Sequence, residues 1–190
     1  MRVTGPGQPV HLLLDIVDIL NDLQIPYALA GALAVSFYGT PRSTNDASVI
    51  AWLEQSGKTK RDLEDSLAAA NYWVLARPGD LDDPISDVVA VADDHGNRMD
   101  LLLGVRGMPS EATRRARTAS ILGAPLRIVG AEDLVAMKLF AGGVQDLEDV
   151  RGVLAVSGQD LDLSLLADIS AQYGQDVSEK LNAILNEPHA

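Results

Sequence analysis

The chain has 190 residues and a formal net charge of −12. That length suits one domain, or one domain with a helical appendage, and is enough to bury a real core. Apolar residues at 47% and charged residues at 22% exclude global disorder, the absence of cysteine excludes disulfides and thiolate metal sites, and the acidic balance argues against broad nucleic-acid binding.

Residues 1–9 read as a loose tail. Over residues 11–23, Leu12, Ile16, Ile19, Leu20 and Leu23 fall on one helical stripe, and Pro26 ends that pattern. Residues 27–30 are a short apolar run, expected as a buried strand. Gly31 follows and opens a short helix over 32–38, closed by Gly39. Residues 40–45 form a polar turn around Pro41, and 47–53 a second strand. A helix is expected over 58–70 and a third strand over 72–76, followed by an acidic loop over 78–84 with Asp80, Asp82 and Asp83. Residues 87–92 and 98–103 flank Asp93-Asp94-His95-Gly96-Asn97, which is turn chemistry, so they predict a hairpin.

A helix over 110–117, begun by a Ser110 cap, and a last short strand over 126–129 complete this part. From there the pattern is helical: 132–141, ended by Gly142-Gly143, then 147–155, 164–172 and 175–186. The expected fold is α/β (α+β): a short mixed β-sheet flanked by helices over residues 1–129, then a C-terminal helical region over 130–190 that could pack directly on the sheet. The start Met1-Arg2-Val3-Thr4 lacks a signal-peptide pattern, and no apolar run approaches the ~20 residues of a bilayer span. A cytoplasmic protein with no membrane partner is expected. Arg106, Arg114, Arg115 and Arg117 are the best candidate for a local basic patch, with a solvated helix face as the plainer reading.

Two acidic signals sit on expected strands, Asn45-Asp46-Ala47-Ser48-Val49-Ile50 and Arg98-Met99-Asp100-Leu101-Leu102-Leu103. A carboxylate at the start of an apolar strand is costly unless solvated, paired or metal-bound. Adjacent strands would bring Asp46 and Asp100 to one end of the sheet, where they could hold Mg²⁺, which prefers hard oxygen ligands and keeps waters and phosphates in its shell. A strand-end aspartate commonly serves only a turn or cap, so spacing alone leaves both readings open. Gly31 adds a turn between strand and helix whose backbone N–H groups can approach a phosphate with no Cβ in the way. Trp52 and Trp73 lie on expected strands and read as core or partner-facing residues.

The stretch Tyr27-Ala28-Leu29-Ala30-Gly31-Ala32-Leu33, continuing to Gly39-Thr40-Pro41-Arg42-Ser43-Thr44-Asn45-Asp46, resembles the opening motif of polymerase β-type nucleotidyltransferases. Within that superfamily it is most similar to the small AbiEii-like and toxin–antitoxin-associated group. The later stretch Glu132-Asp133-Leu134-Val135-Ala136-Met137-Lys138, continuing to Asp146-Leu147-Glu148-Asp149-Val150, resembles that group's second signature. The resemblance implies a glycine turn that holds a nucleoside triphosphate, at Gly31 and Ala32. It also implies Mg²⁺ (or Mn²⁺) bound by three acidic positions. Asp46 and Asp100 match the first and third, and Ser48 stands at the second. Losing that carboxylate removes one negative charge from the ligand set, so nucleotide binding is easier to defend than turnover.

Arg42 and Thr44 match an Arg-x-Thr element that touches substrate or fixes the loop. Lys138 matches a lysine near the nucleotide phosphates, with Asp146 and Asp149 supporting it. A buried helix–helix ion cluster is the structural alternative for these three residues. The implied function is transfer of a nucleotidyl group from an NTP to an RNA, protein or small-molecule acceptor, tRNA ends included. The alternative is a catalytically impaired homologue that binds nucleotide or a partner. Membership of a toxin–antitoxin pair is compatible with either.

Overall fold

A computed structural model describes residues 1–41, 46–80 and 83–187. Arg42, Thr44 and Asp82 lie outside the described residues. Helix α1 (Pro9–Asp22) starts with proline, whose fixed φ suits a first turn, and buries Leu12, Leu13, Ile16 and Leu20 completely. Helix α3 (Lys60–Ala69) is begun by a capping box in which Thr59 and Asp62 exchange hydrogen bonds, and it buries Leu63 and Leu67. Both pack against one face of a seven-stranded sheet. The strands are β1 (Tyr27–Ala30), β2 (Asp46–Ala51), β3 (Trp73–Pro78), β4 (Ile85–Ala92), β5 (Arg98–Val105), β6 (Arg117–Ile121) and β7 (Ala124–Ile128).

The spatial order is β3-β4-β5-β2-β1-β7-β6. Strand β2 runs parallel to β5 and β1 parallel to β7, while the other neighbours are antiparallel. The expected mixed sheet flanked by helices is therefore what the chain forms. Because side chains alternate along a strand, the register sorts the two faces. Ala47, Val49, Val89, Val91, Met99 and Leu101 make one face and are fully buried against α1 and α3. The opposite face begins as the row Trp73, Ala92, Arg98, Asp46 and continues as the row Leu75, Ala90, Asp100, Ser48, Ala30.

On the β1–β2 side, α2 (Gly31–Tyr38) packs on both strands, and α5 (Ala131–Ala141) and α6 (Val144–Ser157) pack on α2. Helices α7 (Leu163–Tyr173) and α8 (Gln175–Leu185) pack on α5 and on each other. The Tyr38 hydroxyl donates to the Val129 carbonyl at 2.9 Å, tying the end of α2 to the segment that enters α5. Among the described residues no helix is long and apolar enough to cross a membrane.

Three expectations are corrected. The helix expected over 110–117 shrinks to α4 (Ala112–Arg115), and Ser110 does not cap it: its hydroxyl donates to the Glu111 carboxylate at 3.2 Å. Ala116, with ψ 130°, leaves the helical region, and β6 follows, a strand the periodicity did not reveal. Leu122 (φ 51°) and Gly123 (φ 78°) turn β6 into β7 as a two-residue hairpin, with Ile121 opposite Ala124. The second strand ends at Ala51, and Glu54 sits in a 3₁₀ turn, Leu53–Gln55, beyond it.

The arginines do not form one solvated helix face. Arg106 donates to the Asp80 carbonyl at 2.7 Å. Arg115 turns inward and grips Asp133 with Nε and Nη2, both at 2.7 Å, and Asp133 is 0% exposed. Removing one partner of a buried pair strands the other charge. Arg115→Met is therefore expected to lower the unfolding free energy by about 3–5 kcal/mol in urea denaturation at pH 7. Arg115→Lys, which keeps the charge but not the fork, should cost less. A loss below about 1 kcal/mol in Arg115→Met would mean that water replaces the guanidinium at Asp133.

Candidate functional site

Strand β1 ends at Ala30, and Gly31 then adopts φ +62°, a left-handed conformation in which side-chain-bearing residues are strained. This turn starts α2 and brings the backbone directly over β2. A Cβ on Gly31 would lie 2.9 Å from Ser48 Oγ and 3.0 Å from Ser48 Cβ. Glycine is thus required twice, by the dihedral and by the contact. Ala32, the next residue, is buried in the first turn of α2.

Ser48 lies opposite Asp100 in the parallel β2–β5 pair, and Asp46 is two residues before Ser48 on the same face. The glycine turn, Asp46, Ser48 and Asp100 are therefore brought together on one side of the sheet. Asp46 is exposed and Asp100 half-buried. Burial raises the Asp100 carboxyl above the ordinary aspartate value, the Asp46 charge adds to the rise, and Arg77 opposes it. Arg77 reaches from β3 across β4, its Nη2 lying 3.6 Å from Asp100 Oδ1. Sequence reasoning missed Arg77. Its only local signal is alternation with Trp73 and Leu75 on an edge strand, and its meeting with Asp100 depends on the pairing of three strands.

Among the described residues no group of three or more acidic or histidine side chains is arranged to hold a metal ion. The oxygen donors on this face are two carboxylates and the Ser48 hydroxyl, with a guanidinium at Asp100. Hard oxygen donors of this kind are the type that a divalent ion with water and phosphate in its shell takes.

Lys138, Asp146 and Asp149 meet elsewhere, at the α5–α6 junction. Lys138 Nζ lies 2.8 Å from Asp146 Oδ1 and 2.8 Å from Asp149 Oδ2. Lys138 and Asp149 are buried, while Asp146 is partly open. The i,i+3 spacing of the two acids on α6 lets both face one lysine on α5.

No family model and no curated protein matches the sequence. Solved structures do match its fold. ANT(2'')-Ia in complex with adenylyl-2''-tobramycin is similar over 87% of this chain and 98% of its own, with TM-score 0.61 and 16% identity. An antigenic nucleotidyltransferase-like protein from Paracoccidioides brasiliensis is similar over 97% of this chain and 92% of its own, with TM-score 0.60 and 13% identity. The lincosamide antibiotic adenylyltransferase LnuA, lincomycin-bound, is similar over 76% of this chain and 95% of its own, with TM-score 0.50 and 11% identity. With its seven-stranded mixed sheet and a glycine turn packed on Ser48 of β2, this chain has the nucleotidyltransferase fold.

Proposed function

We propose that the chain binds a nucleoside triphosphate at the Gly31 turn and transfers its nucleotidyl group to a hydroxyl-bearing small molecule, using one Mg²⁺ (or Mn²⁺) held by Asp46 and Asp100 with Ser48 as a neutral donor. The observation that carries this reading is the contact of Gly31 with Ser48, which itself lies opposite Asp100 on an open sheet face. Backbone N–H groups at the start of α2, from Ala32 onward, suit phosphate oxygens. Arg42 and Thr44 belong to the nucleotide side of the proposal.

In the reaction the acceptor oxygen attacks the α-phosphorus and the bond to the β-phosphate oxygen breaks. Pyrophosphate leaves with that electron pair. Asp100, beside Ser48 on the open face, is placed to take the hydroxyl proton. A bound divalent ion would neutralise charge on the phosphates.

The net charge of −12 disfavours long RNA. Two proteins of similar fold are described with adenylylated tobramycin and with lincomycin, which supports a small acceptor. A tRNA end or a protein hydroxyl would appear as label on a macromolecule in the assay below. The second reading, a homologue that binds nucleotide or a partner without turnover, is favoured by Ser48 and by Arg77 beside Asp100. A toxin–antitoxin role fits either reading and is tested by co-purification with the product of a neighbouring gene.

The test is label transfer from α-labelled NTPs with Mg²⁺ or Mn²⁺ and a pool of small hydroxyl compounds. Asp46→Asn and Asp100→Asn are each expected to lower transfer at least about 100-fold, and Ser48→Asp to raise metal affinity. Transfer only in Ser48→Asp would establish the binding-only reading. No NTP binding in any form would overturn both.

Gly31→Ala is expected to cost about 1–3 kcal/mol in thermal denaturation and to weaken NTP binding. Pairing it with Ser48→Gly should recover only the part due to the clash.

We assign Lys138, Asp146 and Asp149 a supporting role that holds α5 to α6. Lys138→Met should then cost about 3 kcal/mol or more by removing the buried cation that Asp146 and Asp149 share, with NTP affinity nearly unchanged. Loss of NTP affinity at unchanged stability would instead put Lys138 at the phosphates.

A further inference from the structure

Beside the carboxylates the same sheet face stays open. Trp73 and Leu75, on the edge strand, are 69% and 62% exposed. Neither contributes to the core, and a bare indole next to a bare leucine exposes apolar area that a ligand would cover. The register puts Ala92 between Trp73 and Arg98, and Ala90 between Leu75 and Asp100. Two alanines between larger residues make a floor, and two strand spacings, roughly 9.5 Å, separate the walls. The result is a cleft of about 500 Å³ whose lining includes Asp46, Trp73, Leu75, Arg77, Ala90 and Asp100. That volume is in the range of small-molecule sites. The indole is also held in place: Trp73 Nε1 donates to Asp94 Oδ1 at 3.0 Å.

The charges narrow the ligand. The Asp94 carboxylate stands at the Nε1 edge of the indole, outside the residues that line the slot. Asp46 and Asp100 line the slot, and a divalent ion held between them in the proposed site would offset their charge. The guanidiniums of Arg98 and Arg77 are then the charges facing the slot, Arg98 across Ala92 from the indole and Arg77 next to Leu75 in the strand sequence. A flat ring lying on the alanines would cover Trp73 and Leu75, direct a hydroxyl to Asp100 and leave an acidic substituent at Arg98. With the ion bound, a polycation would face both guanidiniums and a carboxylate pair whose charge is already offset.

We propose that this alanine-floored slot is the acceptor subsite, and that it takes an aromatic, hydroxyl-bearing small molecule with an anionic substituent. The proposal rests on the nucleotidyl-transfer reading above. The ring hydroxyl forms the new O–P bond, its proton goes to Asp100, and pyrophosphate leaves.

The test uses two probes with the same ring and hydroxyl but opposite charge, 4-hydroxyphenylacetate and tyramine. Binding to the full chain is followed by quenching of Trp73, the exposed indole, since Trp52 is buried. 4-Hydroxyphenylacetate is expected to bind at least about tenfold more tightly than tyramine, one charge pair's worth of preference. Arg98→Glu should abolish or invert that preference. Trp73→Ala, followed by ligand-observed NMR, should weaken both probes by about tenfold. Both residues are exposed, and circular dichroism checks that the variants fold.

Equal affinity for the probes, or binding indifferent to both substitutions, overturns the proposal. So does a dimer, seen by sedimentation, that buries Trp73 and excludes both probes. ATP–Mg²⁺ binding is measured on the unmodified chain in parallel. ATP binding without probe binding overturns the acceptor subsite alone. Probe binding without ATP binding overturns the nucleotidyl-transfer reading and, with it, the acceptor role of the slot.

Discussion

Parallel pairing of β2 with β5, in the register that sets Ser48 opposite Asp100, is the constraint on which this site depends. A shift of one residue would send Asp100 to the face where Met99 and Leu101 are buried against α1, where an unpaired carboxylate cannot stay charged. The apolar residues therefore hold the register, and the register holds the carboxylates. On the other side of β2 the antiparallel pair with β1 sets Ala30 opposite Ser48, so the chain leaves β1 beside the same residue. The left-handed turn at Gly31 follows from that position, because α2 must start over β2 without a side chain in the way.

Electrostatically, the site differs from three carboxylates in two respects. Ser48 contributes no charge, and Arg77 adds a positive one near Asp100. The strength of that contact matters. At an effective dielectric of 20, two charges 4 Å apart attract by about 4 kcal/mol. Here the Arg77 and Asp100 side chains are 59% and 37% exposed and 3.6 Å apart, so screening reduces the pair to roughly 0–1 kcal/mol. Such a contact yields to a divalent ion or a phosphate. The buried pairs behave differently. Arg115–Asp133 joins α4 to α5 and the Lys138 cluster joins α5 to α6, with Asp133, Lys138 and Asp149 buried.

The parts of this fold that were legible in the sequence are those with local signals. The stripe of α1, the glycine stop after α5 and the turn between β4 and β5 each lie within a few residues, and each corresponds to an observed element. The failures have local causes too. Leucine is a poor first residue for a two-residue hairpin turn, so Leu122-Gly123 hid β6, and Ser110 resembled a cap while its hydroxyl was taken by Glu111. The candidate site was legible only in pieces. Asp46, Ser48 and Asp100 could be named from strand patterns and a resemblance, but that Ser48 rather than Asp46 lies opposite Asp100 is a property of the pairing. Arg77 is three strands from Ser48 along the sheet, and no periodicity connects them.

The sheet divides into a covered half and a bare half, and the boundary runs through the site. Helix α2, backed by α5 and α6, covers β1 and β2 and buries Ile50 and Ala28, one row beyond Ser48 and Ala30. From Ser48 outward through Asp100, Ala90 and Leu75 the face opens. A fold stabilised only by apolar burial would have no reason to leave Trp73 and Leu75 bare, since covering them would add on the order of 1–3 kcal/mol each. It would also have no need for alanine at both Ala90 and Ala92, where larger residues would fill the depression. The core on the opposite face, with Val89, Val91, Met99 and Leu101 fully buried, already anchors β4 and β5. The outer face is thereby relieved of structural duty. A rigid floor anchored from behind, with polar groups converging at one edge, is a suitable arrangement for holding a small molecule still while a bond forms at that edge.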